Sequence, residues 1–178
     1  MISGRRIAIL LKIIAMKDKY WNQQLLSKEL ELSQSEISSG LKNLIQSKLI
    51  RKTSTSYVVV VSACEEFFVH GFRYALPLNH VRKGKGIVTS YAAPIFNGDF
   101  FVDENKTVWI YEGGNDEGIG VEPLYEKLPD AISKNQDNEF YNLLTMVDAL
   151  REDRARERNL AQIKFKIALD NYAKNTHN

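Results

Sequence analysis

The chain has 178 residues, 44% of them hydrophobic and 26% charged, enough to bury one substantial core or two small ones. No apolar run approaches the ~18 residues that a membrane span needs. The single cysteine, Cys64, excludes an internal disulfide, and His70, His80 and His177 are too scattered for metal-ligand spacing. Net charge is only +2, yet residues 1–57 carry ten Lys or Arg against four Asp or Glu, and residues 58–178 carry fourteen against eighteen. A positive field on the first third would attract a polyanion, although a basic face that merely keeps the chain dissolved has the same composition.

Arg5, Arg6 and Lys12 interrupt the apolar N-terminus, and no small-residue cleavage site follows before Lys17 and Asp18. This stretch therefore reads as a first helix, about Arg5 to Met16, with Ile7, Leu10, Leu11 and Ile14 inward, in a chain expected in the cytoplasm. Tyr20 and Trp21 link this helix to the next. Asn22 is placed to cap a second helix, Gln23 to Glu31, with Leu25, Leu26 and Leu30 on one stripe and Lys28 exposed within reach of a phosphate.

After Leu32, Ser33 and Glu36 form a capping-box pair, so a third helix is predicted from Gln34 to Ser47. Ile37, Leu41 and Leu44 turn inward, leaving Gln34, Ser35, Ser38, Ser39, Lys42 and Asn43 outside. Short uncharged side chains that both donate and accept hydrogen bonds suit base edges in a major groove, and equally an ordinary solvated face. Leu49 and Ile50 begin a strand that runs into Arg51 and Lys52, Thr53 to Ser56 form a polar turn, and Tyr57 to Val61 return.

The run SQSEISSGLKNLIQSKLI, Ser33 to Ile50, resembles the MarR-type winged helix-turn-helix. The segments HGFRYALP (His70 to Pro77), GIVTSYAAP (Gly86 to Pro94), EPLY (Glu122 to Tyr125) and VDALREDRARER (Val147 to Arg158) extend the similarity to MarR-like proteins with an extra C-terminal region. The resemblance implies that Gln34, Ser35, Ser38, Ser39, Lys42 and Asn43 read bases, that Arg51, Lys52, Thr53 and Ser54 follow the backbone, and that a short strand at Tyr20 and Trp21 pairs with the hairpin. No arginine stands at the hairpin apex, which departs from the family pattern.

Ser62 and Glu65 repeat the capping-box signature and predict a helix from Ala63 to Ala75, stopped by Pro77, with Phe68 and Phe72 in the core. Cys64 in its first turn is placed for a lowered thiol pKa. Arg82, Lys83, Gly84, Lys85 and Gly86 read as a loop, either a flexible connector or a phosphate cradle, before a strand from Ile87 to Tyr91. The loop Arg82 to Lys85 and the aromatic helix near Phe72 together offer the walls of a small-molecule effector pocket. Phe100 to Val102, a Glu104-Asn105 turn and Thr107 to Tyr111 suggest a hairpin, and the glycines at 113, 114, 118 and 120 suggest mobile turns. Asp116, Glu117 and Glu122 form either a solvated rim or a loose cation site, without calcium-loop spacing.

Beyond Pro129 the pattern is helical, with Phe140, Leu143, Leu144, Val147 and Leu150 on one stripe. The alternating charges from Asp148 to Arg158 predict a solvent-facing stretch, and Leu160, Ile163, Ile167 and Tyr172 a narrower stripe, serving a dimer contact or packing on the chain's own body.

The expected fold is therefore α+β: a winged helix-turn-helix over residues 1–61, then a small mixed region and a long C-terminal helix over residues 62–178. The expected function is a homodimeric transcriptional regulator that binds double-stranded DNA, without cofactor, metal, membrane or catalytic residues. The alternative is an antitoxin-like regulatory subunit that binds a neighbouring enzyme through residues 62–178.

Overall fold

The computed structural model describes residues 2–100 and 106–176. Helix α1 (Gly4–Met16) is so apolar that every residue from Ile7 to Met16 is buried, Lys12 included. The expected inner stripe is only one of its buried sides. Later helices cover the other.

Helix α2 (Gln23–Leu30) starts where the Asn22 side chain accepts the Leu25 N–H at 2.8 Å, and it ends at Glu31 in the left-handed region, φ 51°. Helix α3 (Gln34–Gln46) begins at the expected residue, with the Ser33 and Glu36 capping contacts both made. Strands β1 (Ile50–Lys52) and β2 (Tyr57–Val59) pair antiparallel, Ile50 opposite Val59 and Lys52 opposite Tyr57. The strand expected at Tyr20 and Trp21 does not form: this sheet has two strands, and Trp21 instead stacks its ring on Tyr57 at 5.7 Å.

Helix α4 (Val61–Glu66) passes through a π-helical turn, Phe67–Gly71, into α5 (Phe72–Ala75). The second capping box is a correction. Val60 occupies the cap position and has no side-chain oxygen to make a cap bond; its N–H is held by the Leu49 carbonyl at 2.9 Å, so the chain runs from hairpin straight into helix before Ser62 is reached. The π turn gathers Phe67, Phe68 and Phe72, with Phe68 also 4.7 Å from the Phe165 ring.

The segment read as a basic loop is a strand. β3 (His80–Val88) pairs antiparallel with both β4 (Thr107–Ile110) and β5 (Asp116–Val121), and β4 and β5 close the sheet in parallel. Three strands close this tightly only if side chains are missing at the contacts. A Cβ on Gly86 would strike the Trp109 carbonyl, and one on Gly118 the Lys106 carbonyl, so these glycines hold the barrel together. Beyond Val88 the chain makes a 3₁₀ turn at Ser90–Ala92 rather than continuing as a strand. Among the described residues the antiparallel neighbour of β4 is β3; the expected strand Phe100 to Val102, beyond its first residue, and the Glu104-Asn105 turn fall on residues 101–105, outside the described residues.

Helices α6 (Leu128–Asn135), α7 (Asn138–Leu150) and α8 (Ala155–Thr176) complete the chain. The stripe Phe140, Leu143, Leu144, Val147 and Leu150 is buried as expected. The charged run is not solvent-facing where it begins: Asp148, Arg151 and Glu152 are buried at 1%, 8% and 5% exposure. The inner stripe of α8 is Ala161, Phe165, Leu169 and Tyr172, whereas Ile163 and Ile167 remain more than half exposed. One continuous hydrophobic cluster joins α1, α3, α4, α7 and α8. Among the described residues no helix is long and apolar enough to cross a membrane.

Candidate nucleic-acid interface

The outward side of α3 is built from its cap upward. The Ser33 N–H donates to the Glu36 carboxylate at 2.9 Å, the Ser33 hydroxyl donates to the same oxygen at 2.7 Å, and the Glu36 N–H donates back to that hydroxyl at 3.2 Å. Arg5 from α1 reaches the other carboxylate oxygen at 3.3 Å. The Ser33 backbone N–H first, then its hydroxyl, with lesser help from Arg5 and Lys127, hold the Glu36 carboxyl below its ordinary range against the opposing effect of burial. The only acid in the first turn of α3 is thus committed to the cap, and the rest of that turn offers neutral donors and acceptors.

Gln34, Ser35, Ser39 and Lys42 are exposed, and Ser38 and Asn43 are half-buried at the edge of the same side. Ser35 bonds Ser33 through the hydroxyls at 3.0 Å, and the Asn43 amide donates to the Ser39 carbonyl at 2.8 Å, so part of its donor capacity is spent within the helix. Arg51, Lys52 and Ser54 on the hairpin are exposed, while Thr53 is half-buried because its hydroxyl closes the turn with Ser56 at 3.0 Å. Lys48, in the left-handed region at φ 60°, swings the chain from α3 into β1, and the Leu49 N–H bonds the Leu44 carbonyl at 3.0 Å. Hairpin and helix are therefore held at fixed spacing.

No protein-family model, curated protein or solved structure matches the chain. The site therefore stands on its own geometry.

Sequence reading missed the residues that hold α2 and α3 in place. In the sequence Arg5 reads only as an interruption of an apolar run and the start of a helix. Lys12, 2% exposed, is an ion-pair partner of both Glu29 on α2 and Asp137 at the cap of α7, the latter at 2.6 Å. The Tyr125 hydroxyl donates to the Leu30 carbonyl at 2.8 Å, the Asn135 amide donates to the Glu29 carbonyl at 2.8 Å, and Lys134 pairs with Glu31. A lone lysine in an apolar helix was the one local signal; the others join positions about a hundred residues apart in sequence.

Cys64 corrects an expectation. It is fully buried, its thiol donates to the Leu49 carbonyl at 3.5 Å, and burial pushes its pKa up to about 12 rather than down. Phe72 is also sealed, beneath Phe68 and the Arg151 guanidinium, so it lines no effector pocket with Arg82 to Lys85. Asp116 pairs with Lys106 and Glu122 accepts from the Asn79 amide; among the described residues no cluster of His, Cys, Asp or Glu could hold a metal ion.

Proposed function

We propose that the chain is a DNA-binding transcriptional regulator of the winged helix-turn-helix type, similar to MarR proteins, acting as a homodimer. Gln34, Ser35, Ser38, Ser39, Lys42 and Asn43 enter the major groove, and Arg51, Lys52, Thr53 and Ser54 contact phosphates. The observation that carries this reading is the commitment of Glu36 to its cap, which leaves the leading face of α3 neutral and open beside two exposed hairpin cations. A carboxylate free to face phosphate would oppose it.

Anisotropy titrations with DNA from upstream of its own coding sequence test the proposal. Gln34→Ala is expected to lose roughly 1–3 kcal/mol at a single base position. Lys42→Ala or Arg51→Ala should weaken all sequences alike and flatten the salt slope by about one unit for each phosphate no longer neutralised. Weak binding blind to sequence at physiological salt would end the reading.

The exposed pair Ile163 and Ile167 on α8 favours a protein contact there. In the regulator that contact is a second copy; in the competing reading it is a foreign enzyme subunit regulated by this chain. Light scattering of the purified protein separates them, since a self-dimer supports the first and a monomer the second.

A further inference from the structure

Between the barrel and the α6–α7 turn lies a cavity of about 640 Å³, within the usual size of a small-molecule site. The charges on its wall are already engaged, Asp137 sharing Lys12 with Glu29. Lys106 pairs with Asp116 at 2.5 Å, and Asp137 pairs with the buried Lys12 at 2.6 Å. Burial alone would raise the Asp137 carboxyl, but Lys12 and the Phe140 N–H outweigh it and hold the group below its ordinary value, so it stays charged and compensated. An anionic ligand would enter with no free cation waiting, whereas a neutral one incurs no such cost.

The remaining polar groups on the wall include the amides of Asn97, Asn115, Gln136 and Asn138, set among Ile87, Val88 and two tyrosine rings. Tyr141 is fixed there: its hydroxyl donates to the Val88 carbonyl at 2.7 Å, its ring meets Trp109 edge-on, and burial pushes its pKa up to about 12, keeping it neutral. Amides at the rim of an apolar, aromatic space suit a flat neutral heterocycle with hydrogen-bonding edges.

The end of α6, just before the α6–α7 turn, grips α2, the helix that leads into the one proposed to meet DNA. Lys134 and Asn135, immediately beyond the lining residue Ser133, hold the Glu31 side chain and the Glu29 carbonyl, and Glu31 lies two residues before the α3 cap at Ser33. We propose that this cavity binds an uncharged nucleoside and that the α6–α7 turn transmits its occupancy to the junction of α2 and α3. The transmission half rests on the DNA-binding reading for its purpose; the binding half does not.

Calorimetric titration of the full chain with adenosine, guanosine, cytidine and uridine, each beside its 5′-monophosphate, tests the first half. Saturable binding of at least one nucleoside is expected, about tenfold or more weaker for its monophosphate and abolished by Asn115→Trp, which fills the cavity. If that variant does not fold, Ser133→Trp on the exposed side of α6 blocks the same space. Failure of all four to bind, equal or tighter binding of the monophosphates, or undiminished binding by the blocked variant would overturn the site. Amide hydrogen exchange over residues 29–34 tests the second half: it should slow when the nucleoside saturates the native chain and change less in Asn135→Ala, and an unchanged rate in the native chain would refute transmission. Both readouts use protein without DNA, so their outcome is independent of the anisotropy titrations.

Discussion

Asp148, a carboxylic side chain, has almost no contact with water. It accepts from the Thr89 hydroxyl at 2.8 Å and the Trp109 indole N–H at 2.8 Å, and it pairs with Arg151, whose guanidinium also donates to the Leu76 and Pro77 carbonyls. Removing one member leaves the other charge buried and alone, so Asp148→Ala should cost about 3–5 kcal/mol, read as a shift in the urea midpoint at unchanged m. Glu152, one turn on, behaves differently: burial raises its pKa, and the Ser90 hydroxyl at 2.8 Å offsets only part of that. A carboxyl raised on folding stabilises fully below its unfolded pKa, and that contribution is lost as pH rises through the folded value. Glu152→Gln should therefore flatten the stability curve just above the ordinary carboxylate range and leave the protein equally or more stable at neutral pH.

At the level of elements, the two capping boxes show when a local signal is enough. At Ser33 the chain arrives from a turn with its N–H free to bond Glu36, and the motif closes. Four residues of the same type at Ser62 to Glu65 fail, because Val60 is already bound to Leu49 and the helix starts earlier. Ser33→Ala should remove about 1 kcal/mol, measured by urea unfolding, and should also weaken DNA binding, since it leaves Glu36 held only by the backbone N–H of residue 33 and by Arg5 and frays the turn that carries Gln34 and Ser35. An unchanged DNA affinity would detach the cap from recognition. The glycines of β3 and β5 make the opposite point, since their alternation marks close strand packing only once the partners are known.

For the whole molecule, α1 is the shared wall between α2 and α3 on one side and α7 and α8 on the other, with Lys12 bridging Glu29 and Asp137 across it. One core predicts one transition. Trp21→Phe leaves Trp109 as the only tryptophan, and its fluorescence change in urea should coincide with the helical circular dichroism signal. Separated midpoints would show that the halves unfold independently.

What the amino-acid order determined by itself was local: the start of α3 at Gln34, the Asn22 cap, the β1–β2 hairpin and the apolar stripe of α7, all set by contacts within a few residues. The tertiary structure alone decided that Asp148, Arg151 and Glu152 are buried, that Ile163 and Ile167 are not, and that residues 80–88 form a strand. A run of charges looks the same whether it faces water or a partner such as Trp109 about forty positions away, and only the packed chain brings that partner into reach.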